Sequence, residues 1–179
     1  MGRFEPYEEI EKVLREAIRE NPDDPSAHDA LGVFLAESGR LWEAEAEFRK
    51  ALSLDPNNPQ YHYNLGKLLK ERKKYKDSER EYREAIRLDP DYADAHFNLA
   101  NLLLELGRYT EAEREYREVI RIDPYDPEPH VTLGQLFSLL GRHREACEEL
   151  RIAKRIYKKC GIHKGVKLIT EIMTYLGYD

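Results

Sequence analysis

Four histidines recur at a fixed spacing and could act as metal ligands. His28, His62, His96 and His130 are each 34 residues apart. If each lies on a helix of its own, successive packed helices are about 8–10 Å apart, whereas a shared zinc ion needs Zn–N distances of about 2 Å. The spacing therefore favours a role in packing between repeated segments, and we predict no metal ladder.

A second group, His143, Cys147, Cys160 and His163, also has the residue types of a zinc site. A helix over 147–159 would separate the two thiols by about 19 Å, at a rise of about 1.5 Å per residue. We therefore predict no metal site here. Because the sequence also contains no phosphate-binding, dinucleotide-binding or H-E-x-x-H motif, we expect no cofactor, no small-molecule substrate and no enzymatic activity.

Composition excludes several further classes of protein. The chain has 179 residues, 41% of them hydrophobic, and a net charge of −6, with a mean hydropathy of −0.77. No stretch approaches the roughly 18 apolar residues of a membrane span, and no signal-sequence core follows the first methionine. The acidic balance disfavours a nucleic-acid partner, and two cysteines are too few for a disulfide framework. We expect a cytoplasmic location.

The elements that position these residues repeat along the chain. Pro22, Pro56, Pro90 and Pro124 each follow Asp or Asn and are 34 residues apart, a period typical of repeat arrays. Apolar and small residues recur in each copy at helical spacing, which predicts two amphipathic helices of about 14 residues per copy. In the first copy these residues are Leu31, Gly32, Leu35, Leu41, Ala44, Phe48 and Ala51.

The turn between the two helices of each copy has its own signal. Gly39, Gly107 and Gly141 supply a residue that adopts the left-handed conformation easily. Lys73 stands at the same position in the second copy, so we expect that turn either to differ or to carry a small strain. The closing proline ends the second helix.

When the copies are aligned at an offset of 34 residues, the recurring residues form columns of similar type. These columns resemble the repeats of the tetratricopeptide repeat (TPR) family. The resemblance implies an all-α fold, a right-handed superhelical solenoid of antiparallel helix pairs. It divides the chain into an N-terminal capping half-repeat, four repeats and a C-terminal capping helix, at residues 1–24, 25–58, 59–92, 93–126, 127–160 and 161–179.

Both ends fit this frame. Tyr7, Ile10, Leu14 and Ala17 align with the second-helix column that begins at Leu41, so the N-terminal helix is predicted to be a lone second helix. The last helix is predicted near 162–176, after Gly161. Its core stripe would comprise Ile162, Val166, Ile169, Met173 and Leu176, beside a second apolar stripe of Leu168, Ile172 and Tyr175.

The resemblance also implies a partner-binding site, because the first helices of TPR repeats line a concave groove. Acids outnumber bases among the matching columns, which favours a neutral or basic extended segment. Amides could bond its backbone and rings could cover its side chains. The candidate residues are Gln60, Tyr63, Asn64, Lys67, Asp94, Phe97, Asn98, Asn101, Glu128, Thr132 and Gln135.

Two subtypes of the family were compared with these columns. Clamps for acidic chaperone tails use Lys, Asn and Arg at positions where this chain has mainly acids and keeps only the central Asn, so that function is disfavoured. The run 95–101 is similar to repeats of O-linked N-acetylglucosamine transferase, whose asparagine ladder holds substrate backbones. Here the ladder has two rungs, Asn64 and Asn98.

Charge is distributed unevenly between the ends. Residues 5–24 contain eight acids and three bases, whereas residues 150–170 contain seven bases and no acid. A structural protein that self-assembles through these ends is therefore the alternative to a peptide-binding scaffold. The candidate assembly surface, which could make the protein a homo-oligomer, comprises Lys158, Lys159, Lys164, Lys167, Leu168, Ile172 and Tyr175.

We therefore interpret the chain as a non-catalytic scaffold for protein–protein interaction, with a membrane or nucleic-acid partner disfavoured. Its high charge and dense Glu/Arg patterning at helical offsets favour a thermostable protein from a thermophile or a consensus design.

Overall fold

A computed structural model describes the backbone of residues 5–178 and the side chains of residues 8–178. The predicted contact of Tyr7 lies outside the described side chains. The described residues form ten α-helices and no strand. These are α1 (Glu5–Glu20), α2 (Pro25–Glu37), α3 (Leu41–Leu54), α4 (Pro59–Glu71), α5 (Tyr75–Leu88), α6 (Ala93–Glu105), α7 (Tyr109–Ile122), α8 (Pro127–Leu139), α9 (His143–Lys159) and α10 (His163–Leu176).

Caps and prolines define where the first helix of a pair begins. The Asp24 side chain accepts a hydrogen bond of 2.9 Å from the Ser26 backbone N–H, and Pro25 occupies the first helical turn. Such a cap satisfies a backbone donor that the helix itself cannot satisfy. The same arrangement starts α4 at Asn58 and α8 at Asp126.

The turn between paired helices has the same left-handed residue in each copy, and in the second copy this residue is a lysine instead of a glycine. Gly39 has φ 76°, and its N–H donates to the Ala36 carbonyl at 2.9 Å. Lys73 has φ 58° and donates to the Lys70 carbonyl at 2.8 Å. The second copy therefore keeps the same turn and carries the predicted strain, of about 1 kcal/mol for a side chain in the left-handed region.

The chain divides into two compact units, residues 1–95 and 96–179, with the division inside α6. In unit 1 (residues 1–95), α2 packs against α3 and α4 against α5, while α1 packs on α2 and α3 on α4. Buried leucines and the aromatic second-helix column fill the space between them. The core includes Leu31, Leu35, Phe48, Leu65 and Leu69.

In unit 2 (residues 96–179), α8 packs against α9, α7 against α8 and α10 against α9. Ile169 and Met173 of α10 are buried against Leu150 and Ala153 of α9, as the predicted core stripe requires. The prediction for Ile162 is wrong. This residue precedes the first turn of α10 and is 47% exposed.

The recurring histidines join paired helices. His28 Nδ1 lies 2.7 Å from Glu47 of α3, and its Nε2 lies 3.1 Å from the Pro22 carbonyl. Each of these histidines therefore connects the two helices of its own repeat. His28 also contacts the preceding turn, whereas the sequence predicted only packing between repeats. The equivalent pairs are His62–Glu81, His96–Glu115 and His130–Glu149, at 2.6–2.8 Å.

The two cysteines lie far apart along one helix. Because α9 is unbroken from His143 to Lys159, Cys147 and Cys160 are separated by about 19 Å of helical rise. Within residues 8–178, no cluster of three or more His, Cys, Asp or Glu side chains could hold a metal ion. No described helix combines the length and the apolar character that crossing a membrane demands.

Candidate functional site

The first helices of unit 1 enclose a cleft between α2 and α4. It has a volume of about 360 Å³. Apolar side chains contribute one part of its lining and charged or amide side chains the rest. The lining residues are Val33, Ala36, Glu37, Phe48, Asn64, Lys67, Leu68 and Glu71. We call this the unit-1 cleft.

A chain of hydrogen bonds connects the predicted amides beside the unit-1 cleft. The Asn64 amide donates to both carboxylate oxygens of Asp29, at 2.9 and 3.1 Å. Gln60 donates to the Asn64 oxygen at 3.0 Å, and the Tyr92 hydroxyl donates to the Gln60 oxygen at 2.7 Å. The structure thus brings Gln60 and Asn64 together and links them to α2.

Asp29 is the electrostatically distinctive residue of this network. Burial raises the pKa of its carboxyl, and the hydrogen bonds from Asn64 offset that effect only in part. Glu37 and Glu71 stand at the unit-1 cleft with Lys67. Because carboxylates outnumber ammonium groups, the cleft can favour a cationic or neutral group over an anionic one.

Tyr63 lies within an aromatic and cationic group. Its ring centroid lies 5.1 Å from that of Tyr92 and 6.2 Å from that of Tyr82. The Lys67 ammonium lies 5.6 Å from the Tyr63 ring centroid, within the range of cation–π attraction. Among the described residues, the buried Tyr82 hydroxyl has no hydrogen-bond partner. The Ser78 hydroxyl donates to the Gly66 carbonyl at 2.7 Å.

The predicted residues of α6 in unit 2 are arranged differently. Phe97 meets Tyr116 edge-on, with ring centroids 5.7 Å apart. The Tyr116 hydroxyl donates to the Asn101 oxygen at 2.6 Å, so Asn101 supports the aromatic column. Asn98 is half-buried, and Asp94, which belongs to unit 1, is exposed at the first turn of α6.

The predicted residues of α8 are not joined into a comparable network. The Thr132 hydroxyl donates to the Glu128 carbonyl of its own helix at 3.0 Å, and Glu128 itself is exposed. Gln135 lines a second cavity of about 460 Å³ between α8 and α10. We call this the unit-2 cavity, and its other lining residues are Ser138, Leu168, Glu171, Ile172, Tyr175 and Leu176.

The candidate assembly residues all lie on α9 and α10. Lys158 and Lys159 occupy the last turn of α9, and Lys164 and Lys167 the first turns of α10, all exposed. Leu168, Ile172 and Tyr175 are instead grouped in the unit-2 cavity, with Tyr175 89% exposed.

Sequence reasoning did not identify several residues around the unit-1 cleft. Phe48 lines it, although its recurring position predicted only core packing, and Leu68 lines it although no role was predicted for it. Tyr92 closes the hydrogen-bond chain from a position where the other copies have the cap residues Asp24, Asn58 and Asp126. The replacement of an Asp or Asn by a tyrosine at this position is the sequence feature that could have identified Tyr92.

Comparisons with known proteins place the chain in a family. Models described as tetratricopeptide repeat match residues 63–127 and 127–151, and one described as TPR repeat matches residues 34–71. Together these matches run from residue 34 to residue 151. No curated protein sequence matches the chain.

Solved structures agree in fold. A structure of MamA has a TM-score of 0.79 and 20% identity over 84% of this chain and 88% of the MamA chain. PilF of Pseudomonas aeruginosa has a TM-score of 0.74 and 21% identity over 96% of this chain and 84% of the PilF chain. YrrB, titled a TPR protein with an unusual peptide-binding site, has a TM-score of 0.72 and 18% identity, with 94% of each chain covered.

The ten helices, their pairing and their repeated turns agree with these matches, and the predicted all-α solenoid of antiparallel helix pairs is confirmed. The chain belongs to the tetratricopeptide repeat family and is a non-catalytic scaffold for protein–protein interaction.

Proposed function

We propose that the unit-1 cleft binds an extended, neutral or basic segment of a partner protein. The observation that carries the proposal is the Asp29–Asn64 pair beside an open cavity. The Asp29 carboxylate is half-buried, its pKa is raised by that burial, and it accepts hydrogen bonds from the neutral Asn64 amide. A partner's ammonium or guanidinium group would compensate that carboxylate better than the amide does.

The lining of the cleft supports a side-chain pocket next to this charge. Val33, Ala36, Phe48 and Leu68 offer apolar contact to an aliphatic side chain. Asn64 and Gln60 have amides that can exchange their mutual bond for bonds to a peptide backbone. The peptide-binding site named for YrrB shows that this fold can perform such a task, and the residues here would set its selectivity.

Unit 2 offers a related surface on α6 and α8. Phe97, Asn98 and the exposed Glu128 and Gln135 are the members of the predicted set that lie in this unit, whereas the exposed Asp94 belongs to unit 1. Asn101 and Thr132 contribute less, because Asn101 accepts from the hydroxyl of the buried Tyr116 and Thr132 donates to a carbonyl of its own helix. We assign the main selectivity to the unit-1 cleft.

The test is selection from a random peptide library, followed by fluorescence anisotropy with the selected peptides. We expect sequences with a basic residue beside an aliphatic one. Val33→Trp, which fills the cleft, should weaken binding about tenfold or more, and Asn64→Ala should also weaken it. Ala46→Trp, on the exposed side of α3, is the matched control and should bind normally. Selection of acidic peptides, or equal binding by Val33→Trp, would overturn the proposal.

A further inference from the structure

The helices α1 and α10 are opposite halves of a repeat. Shifted by 34 residues, α1 aligns with the second helix α3, so that Ile10 and Val13 correspond to Ala44 and Glu47. In α3, Ala44 is fully buried, whereas Ile10 is 48% and Val13 57% exposed. The face of α1 that a first helix covers in a complete repeat is therefore open and apolar.

The last helix has the geometry of a first helix. Gly177 at its end has φ 72°, and its N–H donates to the Thr174 carbonyl at 3.1 Å. Gly39 ends α2 in the same way, 138 residues earlier. This offset aligns Ile169, the buried centre of α10, with Leu31, the buried centre of α2.

The same alignment identifies the open face of α10. Val166 and Thr170 take the positions of His28 and Gly32, which contact the second helix α3 in the first repeat. Val166 is half-buried and Thr170 exposed. Among the described residues, no second helix packs on this face.

The two open faces are complementary in chemistry. In a complete repeat, the positions that align with Val166 and Val13 hold a His–Glu pair, such as His28 with Glu47 at 2.7 Å. At the two ends both partners are apolar, with Val166 on α10 and Val13 on α1. Leu14, in the position of Phe48, would meet Thr170, and its smaller side chain leaves room for the methyl group that Gly32 lacks.

Charge favours the same pairing. Residues 5–24 carry eight acids against three bases, while residues 150–170 carry seven bases and no acid. Lys12, Glu9 and Glu16 on α1 have side chains 56–70% exposed, and Lys158, Lys159, Lys164 and Lys167 are exposed as well. Opposite net charges accelerate the encounter of the two ends and are screened by salt.

We infer that copies of this chain associate head to tail, with α1 of one copy packing on α10 of the next as the second helix of a composite repeat. Such a contact is heterologous, since it joins two different surfaces, so it extends into open chains of copies. This inference is independent of peptide binding in the unit-1 cleft, which the association would leave accessible to titration with the selected peptides.

The test is sedimentation velocity of the full chain across protein concentration at low salt and at about 0.5 M salt. We expect oligomers that grow with concentration and dissociate at high salt. Val13→Glu and Val166→Glu each block one end, so each variant alone should be monomeric. Their equimolar mixture should form dimers and nothing larger, because one functional end remains on each copy.

Controls separate this contact from others. Tyr125→Glu changes an exposed aromatic in the turn after α7 and should assemble like the parent chain, and circular dichroism melts check that every variant folds. A parent chain that is monomeric throughout would overturn the inference. So would a mixture of the two blocked variants that stays monomeric, or closed dimers that only Leu168→Glu and Tyr175→Glu disrupt, which would assign the contact to a symmetric pairing of α10.

Discussion

The two units place the same tyrosine in different polar surroundings. In unit 2, Tyr116 donates to Asn101 at 2.6 Å. In unit 1, the equivalent Tyr82 faces a repeat that has Lys67 in place of Asn101, and within the described residues its hydroxyl has no partner. An ammonium group cannot accept a hydrogen bond, so Lys67 cannot replace Asn101 as the acceptor for the tyrosine hydroxyl.

This difference shows how a repeat can keep its fold while changing its surface chemistry. In unit 2 Asn101 supports the tyrosine, whereas in unit 1 the equivalent Lys67 lies 5.6 Å from the Tyr63 ring centroid and lines an open cleft. Residues on the exposed surface of the first helices can therefore differ between repeats, and these differences can set the selectivity for a partner segment. The following substitutions test that comparison.

The largest effect is expected at the close approach of helices in unit 1. A Cβ atom on Gly66 would lie 2.8 Å from the Tyr82 ring, whereas unit 2 accommodates Ala100 at the equivalent position. Gly66→Val should lower the free energy of unfolding by about 2–3 kcal/mol, because the ring must shift. Urea denaturation measures this change. Lys67→Val, an exposed neighbour on the same helix, is the control and should cost less than about 1 kcal/mol.

The second test exchanges the two tyrosine hydroxyls for hydrogen. Tyr116→Phe should destabilise the protein by about 1 kcal/mol, since it leaves the Asn101 oxygen without its donor. Tyr82→Phe removes an unpaired buried hydroxyl and should be neutral or stabilising by up to about 1 kcal/mol. If both variants lowered the urea midpoint by the same amount, the contrast between the units would be contradicted.

The His62–Glu81 pair should make stability depend on pH. Burial lowers the pKa of His62, but hydrogen bonds to Glu81 and the Pro56 carbonyl outweigh it and the net pKa is raised. Burial raises the pKa of Glu81, but His62 and Arg80 outweigh it and the net pKa is lowered. The histidine contribution is therefore complete below about pH 6.5, its unfolded pKa, and is lost as pH rises through the raised value.

The glutamate contribution runs in the opposite direction. It is present above the unfolded pKa of about 4.3 and is lost as pH falls through the lowered value. Stability from this pair should be greatest between about pH 4.5 and 6.5. Unfolding free energies at pH 6 and pH 8 should differ less in His62→Gln than in the parent chain. An unchanged difference would show that the pair does not contribute.

The smallest effect is expected at the turn that lacks glycine. Lys73→Gly relieves a left-handed side-chain conformation but adds flexibility to the unfolded chain, so the net gain should be about 0.5 kcal/mol. Lys76→Gly, in the first turn of α5, should destabilise the protein instead. Thermal melting of the two variants distinguishes these outcomes.

Much of the fold could be predicted because the repeat period aligns residues that share one environment. The leucine and aromatic columns, the glycine turns and the closing prolines all depend on local helix geometry, and the helices begin and end close to where those signals lie. The Ile162 prediction was wrong because periodicity alone does not distinguish the last loop residue from the first helical turn.

The site was less predictable because its contacts join different columns. The bonds Asn64–Asp29 and Tyr92–Gln60 connect residues 35 and 32 positions apart, and no single column contains both partners. For the same reason, the sequence identified the histidine of each His–Glu pair but not the glutamate. The Glu partner recurs at the same period, 19 residues later, but a glutamate in a charged helix resembles any other surface acid.

Packing between neighbours along the chain also determines how the protein can fold. The strongest helix contacts in both units join elements adjacent in sequence, such as α2 with α3 and α8 with α9. Few long loops must close before such contacts form, so contact order is low and the folding barrier is small. A helical pair in either unit can serve as a nucleus, and the remaining repeats then add to it one after another.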